Sequence, residues 1–231
     1  MIPLKDTIPS RSFPIANTLI IGTNLFIFLL MVSIGPTAND FVRIFGLIPY
    51  RFIHEFSLYQ VFTVFSSMFL HGGWFHFFSN MLALYIFGDN VEDRLGSVRY
   101  LFFYLTCGIG ATLVHIFFNP GSTLPTIGAS GAISGVLAAY FILFPTSTVI
   151  TFVPLFFLPW LVEIPAVLYI GLWFVSQLLN GVLSVVTGVQ TLGGVAWWAH
   201  VGGFTTGILS IKLFLIRKYR RKYYVDEYFP W

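Results

Sequence analysis

Gly128-Ala129-Ser130-Gly131-Ala132-Ile133-Ser134-Gly135 opens an apolar run that continues through Leu143 and stops at Pro145. A serine framed by glycines at the head of a hydrophobic helix is a reactive hydroxyl held at membrane depth. His200 lies in a second apolar segment, 197–216, and supplies a base in a similar setting. Ionisable or reactive side chains inside a bilayer are costly, so their default reading is functional.

The rest of the chain has the composition of an integral membrane protein. Of 231 residues, 57% are hydrophobic and 9% charged, against roughly 25% charged in soluble domains. The 27 Phe and 6 Trp supply lipid-facing bulk and interfacial anchors, and Trp197 and Trp198 read as part of an interfacial belt. The net charge of +3 is gathered at Arg217, Lys218, Arg220, Arg221 and Lys222. Beside an apolar helix such a run is a topology signal and not a nucleic-acid site. The single Cys107 excludes an internal disulfide and reads as a small core residue.

Six apolar segments, at 15–34, 74–88, 98–118, 130–145, 165–184 and 197–216, predict an all-α polytopic membrane protein, a six-transmembrane-helix bundle. The expected organisation is an N-terminal tail at 1–14, a six-span domain at 15–216 and a basic tail at 217–231. Residues 1–14 hold Lys5, Asp6, Arg11 and three prolines, so they read as a polar tail without a cleavable signal peptide. An even number of spans puts both termini on one side, and the basic residues make that side cytoplasmic. The expectation is a multi-pass protein of the plasma membrane, with Asp89–Arg94 as a cytoplasmic loop.

Two spans are unusual. The second and fourth are about 15 residues, short of the roughly 20 that cross a bilayer. Asn119-Pro120-Gly121-Ser122-Thr123-Leu124-Pro125, before the fourth, cannot be regular helix. Such backbone survives at membrane depth only when buried in protein or lining a wet cavity. A depression open to the outer face, with Ser130 at its floor, follows. The long loop 35–73, with Arg43, Arg51, His54 and Glu55, reads as half-embedded in the outer interface.

Depth can be estimated at about 1.5 Å per helical residue. Ser130 lies roughly 22 Å from the segment end near Pro145, His200 roughly 25 Å from Arg217, and His76 roughly 20 Å from Asp89. In a hydrocarbon core of about 30 Å, all three fall in one layer below the outer surface. Gly131 and Gly135 stand at i and i+4 on the fourth segment, and Gly203 and Gly207 on the sixth. Small residues at that spacing let helix backbones approach, and His200 shares the face of Gly203 and Gly207.

His76 and Asn80 share one face of the second segment and are suitable donors to an oxyanion, together with the Ser130 N–H. A metal site from His71 and His76 is disfavoured: on a helix their spacing turns them about 140° apart, and no acidic ligand is near. Neither a metal nor another cofactor is expected. No acid is placed to orient His200, which favours a Ser–His dyad over a triad. Burial favours the neutral imidazole that a general base requires.

These residues resemble the rhomboid family of intramembrane serine proteases. The resemblance rests on His71-Gly72-Gly73-Trp74-Phe75-His76 with Asn80, Gly128-Ala129-Ser130-Gly131, Ala199-His200-Val201-Gly202-Gly203 with Gly207, and Val91-Glu92-Asp93-Arg94-Leu95-Gly96. It implies Ser130 as nucleophile, His200 as base, and His76 and Asn80 as oxyanion stabilisers. The implied substrates are single-span transmembrane proteins, cut near the outer leaflet. Two departures stand out: the Trp-Arg pair of the first loop is missing, with Phe62 and Thr63 in that stretch, and Ser134 replaces a Tyr that stacks on the histidine in some members. A relative without activity that binds transmembrane clients is the alternative; such a relative usually lacks the Ser or the His. A transporter would carry intramembrane charge or repeated halves.

Overall fold

The computed structural model describes residues 2–155, 158–188 and 194–215; the basic cluster at 217–222 lies outside them. The chain is a helical polytopic bundle. Helix α1 (Ile15–Ser33) leads into three short helices, α2 (Ala38–Phe45), α3 (Pro49–His54) and α4 (Leu58–Ser66). Then come α5 (Trp74–Ala83), a π-helical turn (Leu84–Gly88), α6 (Asp89–Leu95), α7 (Ser97–Phe118), α8 (Ser130–Leu143), α9 (Ala166–Thr187) and α10 (Trp197–Phe214). By length and apolarity α1, α7 and α9 are each able to cross a membrane. Helix α8 has only 14 residues, about 21 Å. It is buried along most of its length, with α7 and α10 packed against it.

The second apolar segment differs from its sequence reading. It continues without a break from Trp74 to Leu95, so Asp89–Arg94 is helix and not loop. Of the charged residues that suggest a loop, Glu92 and Arg94 are buried, Asp89 and Asp93 are half-buried, and Glu92 caps a neighbouring helix. Helix α1 starts after Pro14 with no side-chain cap of its own, which leaves its first N–H groups without intrahelical partners. Glu92 takes that role from across the bundle: its carboxylate accepts from the backbone N–H of Ala16 at 3.0 Å and Asn17 at 2.7 Å. It also accepts from Ser97 Oγ at 2.6 Å, across the turn at Gly96. A carboxylate at a helix N-terminus also complements the helix dipole.

The π-helical turn is matched by another polar contact. A π turn shifts the bonding pattern to i→i+5 and disturbs the regular helical ladder. The Leu84 carbonyl accepts from Asn17 Nδ2 at 2.9 Å, while Asn17 Oδ1 accepts from Tyr100 Oη at 2.8 Å. Asn17 therefore links α1, the π-helical turn after α5, and α7. Gly88 makes room for it, since a Cβ there would lie 2.7 Å from Asn17 Cγ.

A three-stranded antiparallel sheet stands beside the bundle, in the order β1 (Ile2–Asp6), β2 (Thr148–Leu155), β3 (Leu158–Pro165). The first five residues of the described chain are thus an edge strand and not a free tail. β1 is anchored by Asp6, which is buried and accepts from Tyr140 Oη at 2.6 Å and Asn90 Nδ2 at 2.9 Å. Desolvation pushes the Asp6 carboxyl up from its ordinary range to about 6. The neighbouring Asp89 is pushed up to about 7, chiefly by desolvation and further by the charge of Asp6.

Both carboxyls hold their proton more tightly folded than unfolded. Their protonation therefore stabilises the fold at acid pH, and that contribution is lost as pH rises from about 4 through about 6 and 7. Hydrogen exchange of residues 2–6 should be slowest near pH 4–5 after correction for intrinsic rates, and protection should fall toward pH 8. Asp6→Asn should flatten this dependence. A strand protected equally at both ends of the range would contradict the assignment.

Candidate active site

Ser130 is the first residue of α8, where helix N–H groups lack intrahelical partners. The backbone arriving there is irregular and held from two sides. Leu47 and Thr126 exchange backbone hydrogen bonds at 3.1 and 2.7 Å, Tyr50 N–H donates to Ser122 O at 3.0 Å, and Gly128 N–H donates to Ser67 O at 2.9 Å. The first loop and the 119–129 segment thus brace each other. From α7, His115 Nε2 meets Thr126 Oγ1 at 2.9 Å, and Asn119 Nδ2 donates to the His115 carbonyl at 3.0 Å. His115 is therefore a buried bracing residue.

His200 lies on α10, buried, with Nε2 2.8 Å from Ser130 Oγ. That distance depends on the approach of two backbones. A Cβ at Gly203 would overlap the Gly131 carbonyl, one at Gly207 would come within 2.6 Å of the Gly135 carbonyl, and one at Gly131 within 2.7 Å of Ala111 Cβ. A Cβ at Gly135 would run into Cys107 of α7. The four glycines therefore occupy the seam joining α8 to α7 and α10.

His76 comes to the same place from α5. Gly128 has φ +123°, a backbone conformation that favours glycine, and a Cβ there would lie 2.7 Å from His76 Nε2. The His76 ring thus rests on the glycine two residues before Ser130. Gly72 N–H points at Nδ1 over 3.5 Å, and Nε2 faces Gly128. Asn80 is buried one turn further along, and its Nδ2 donates to the His76 carbonyl at 2.8 Å. Behind Ser130, a cavity of about 30 Å³ lined by Thr112, His115 and Thr126 among others has room for a water.

Ser134, on the same helix face as Ser130, is fully buried and donates to the Ser130 carbonyl at 2.6 Å. Its proton is used inside the helix. His71 precedes the start of α5, so the helical 140° separation from His76 does not apply; the two rings meet edge-on at 5.1 Å. Among the described residues, no three His, Cys, Asp or Glu side chains gather where they could hold a metal ion.

One residue of the site is not apparent from sequence motifs. Gln177, buried on α9, places Oε1 2.7 Å from His200 Nδ1. Trp173, one turn earlier on α9, and Trp197 bring their rings within 5.8 and 6.3 Å of the imidazole. They neighbour the ring in the absence of a tyrosine at position 134. The available signal was that Gln177 and Asn180 are the two amides in an otherwise apolar segment. Trp198 also departs from the belt reading: it is buried and stacks on Phe118 at 3.6 Å, above Gly181.

Residues 58–217 match the family described as Rhomboid domain. The chain belongs to the rhomboid family. It is 30% identical over 184 residues to RHOMBOID-like protein 1 of Arabidopsis thaliana, covering 80% of this chain and 41% of that protein. It is 29% identical over 182 residues to Rhomboid protein 1, mitochondrial, of Saccharomyces cerevisiae, covering 73% of this chain and 49% of that one. It is 36% identical over 115 residues to Rhomboid protease GluP of Bacillus subtilis, covering 50% and 22%. This rhomboid spans half or less of the length of these relatives.

Gly203→Ala in this rhomboid should force α8 and α10 apart, lowering the melting temperature in detergent and removing any reactivity of Ser130. Gly22→Ala on α1, where a Cβ meets nothing within 4 Å, is the control and should change neither. A Gly203→Ala protein with wild-type melting would refute the close-approach argument.

Proposed function

We propose that this rhomboid is an intramembrane serine endopeptidase that cuts transmembrane helices of single-span proteins near the outer leaflet. The observation that carries the reading is the 2.8 Å contact between His200 Nε2 and Ser130 Oγ. A hydroxyl next to an imidazole nitrogen at hydrogen-bond distance is the arrangement of an activated nucleophile.

In this mechanism Ser130 Oγ attacks the scissile carbonyl carbon and its proton passes to His200 Nε2. The oxyanion that forms is met by the Ser130 N–H, by His76 Nε2–H and by the second N–H of Asn80. Collapse expels the amine, which takes the proton from His200 and leaves an acyl-Ser130. Water, deprotonated by His200, then hydrolyses that ester and regenerates the hydroxyl. No metal or other cofactor enters these steps. A helix keeps its carbonyls hydrogen-bonded, so the client must unwind locally before Ser130 reaches it. Gly or Pro near the cut favours this.

The proposal includes both termini in the cytoplasm of a plasma-membrane protein, from the basic run at 217–222. It also includes lateral access beside α9. Much of its outer surface is exposed and apolar, at Leu168, Leu172, Leu179, Val182 and Val186. Part of the loop that would complete this gate, 189–193, lies outside the described residues.

A fluorophosphonate probe should label the wild-type protein, and labelling and cleavage of a single-span substrate should vanish in Ser130→Ala and His200→Ala. Labelling that persists in Ser130→Ala and disappears in Ser134→Ala would move the nucleophile. An unreactive wild type in lipid would favour the client-binding alternative.

Asn80→Ala should lower kcat by about 10²–10³ with little change in KM, because an oxyanion contact exists mainly in the transition state. A change confined to KM would make Asn80 a substrate-positioning or packing residue.

A further inference from the structure

We propose that Gln177 is the positioning residue of His200: it sets the tautomer and orientation of the imidazole and makes both conditional on α9 being seated against α10. The inference rests on the proteolytic reading above and adds a residue and a coupling to it.

The tautomer follows from a chain of contacts with one consistent direction. The Trp173 carbonyl can only accept, and it lies 3.1 Å from Gln177 Nε2. Gln177 Nε2 also donates to Ser176 Oγ at 2.9 Å, whose own proton goes to the Trp173 carbonyl at 2.6 Å. Both contacts require the NH₂ end of the amide on that side. Oε1 therefore faces His200, 2.7 Å from Nδ1. An amide oxygen only accepts, so Nδ1 carries the proton. Nε2 is then left with its lone pair directed at Ser130 Oγ, 2.8 Å away. Reversing the amide would place an N–H against Nδ1 and select the opposite tautomer, in which Nε2 cannot act as base. The Trp173 carbonyl prevents that reversal.

A neutral amide suits this depth. An ionised carboxylate in the same place would stabilise the imidazolium, but it would have to remain charged in an apolar surrounding. Gln177 provides direction without that cost. It provides it from α9, whose inward face at Gln177, Gly181 and Ser184 is buried while Leu172, Val175, Leu179 and Val182 face outward. Displacing α9 to admit a client would remove Oε1 from Nδ1. The base is fully aligned only after α9 returns, so hydrolysis is coupled to the position of the helix beside which the substrate enters.

The test compares the wild type with Gln177→Leu and Gln177→Glu. A small fluorophosphonate reports Ser130 reactivity directly, and a single-span substrate reports kcat and KM. Gln177→Leu should slow phosphonylation and lower kcat by about 10–100-fold, part of a general-base contribution of 10²–10⁴, with KM little changed. Gln177→Glu should restore both to within several-fold, because a carboxyl oxygen accepts from Nδ1–H whether or not the group is ionised. Gln177→Leu reacting at the wild-type rate overturns the inference, as does equal loss in the Leu and Glu variants. Ring ¹⁵N signals of His200 in the folded wild type give a readout independent of activity and of how well the variants fold. Protonation at Nδ1 supports the assignment, and protonation at Nε2 overturns it. Failure of the wild type to label, with Nδ1 protonated, would sink the protease reading while leaving the tautomer assignment standing.

Discussion

The site depends on how closely two helix backbones can approach. A serine hydroxyl and an imidazole have little reach, so Ser130 and His200 meet at 2.8 Å only because α8 and α10 touch almost backbone to backbone. Glycine at 131, 135, 203 and 207 removes the side chains that would keep them apart. Within a bilayer the hydrophobic effect does little to drive helices together, and close packing of small residues is one of the remaining attractions. The same four positions therefore provide both cohesion and the contact between Ser130 and His200. Ser134 faces into the same seam and gives its proton to the helix backbone.

Close packing alone would leave the ends of the helices unsatisfied. Two buried side chains, Glu92 of α6 and Asn17 of α1, resolve that around the π-helical turn. Glu92 caps α1 from another helix, and Asn17 serves the π turn and Tyr100 together. Glu92 and Asn17 each have several partners, the condition under which burial of polar groups is tolerated. Above, the first loop braces the 119–129 segment through the paired backbones of Leu47 and Thr126. Ser130 is thus fixed by contacts from its own strand-like approach, while His200 is fixed by α9 and α10.

What could be read from sequence divides along physical lines. Ser130, His200 and the glycine pairs announce themselves because helix periodicity, i and i+4 or i+3, is local and survives without knowledge of the fold. His76 and Asn80 share a face for the same reason. Residues 89–95 are misleading: charges there look like a solvated loop, yet Glu92 is buried because its partners, the N–H groups of Ala16 and Asn17, come from far away in sequence. The sheet is hidden for a different reason. Residues 148–165 are a nearly continuous apolar run, which does not distinguish a buried strand from a helix, and its pairing with residues 2–6 is purely tertiary. Gln177 was visible as an amide in an apolar helix, but its meaning required knowing that α9 lies beside His200.

On the proposed reading of His200 as base, that last case shows what a membrane setting asks of such a group. In water-soluble sites a charged group can orient and electrostatically support an imidazole at once. At bilayer depth the two roles separate. Orientation and tautomer need only a correctly directed dipole, which on the proposed assignment the Trp173 carbonyl and the Gln177 amide would transmit to Nδ1. The ring surroundings include Trp173 and Trp197, whose rings lie 5.8 Å (tilted) and 6.3 Å (edge-on) from the imidazole. A neutral relay has a further property that a fixed charge lacks. If α9 moves as proposed, it can withdraw the amide with it and leave no uncompensated ion in lipid.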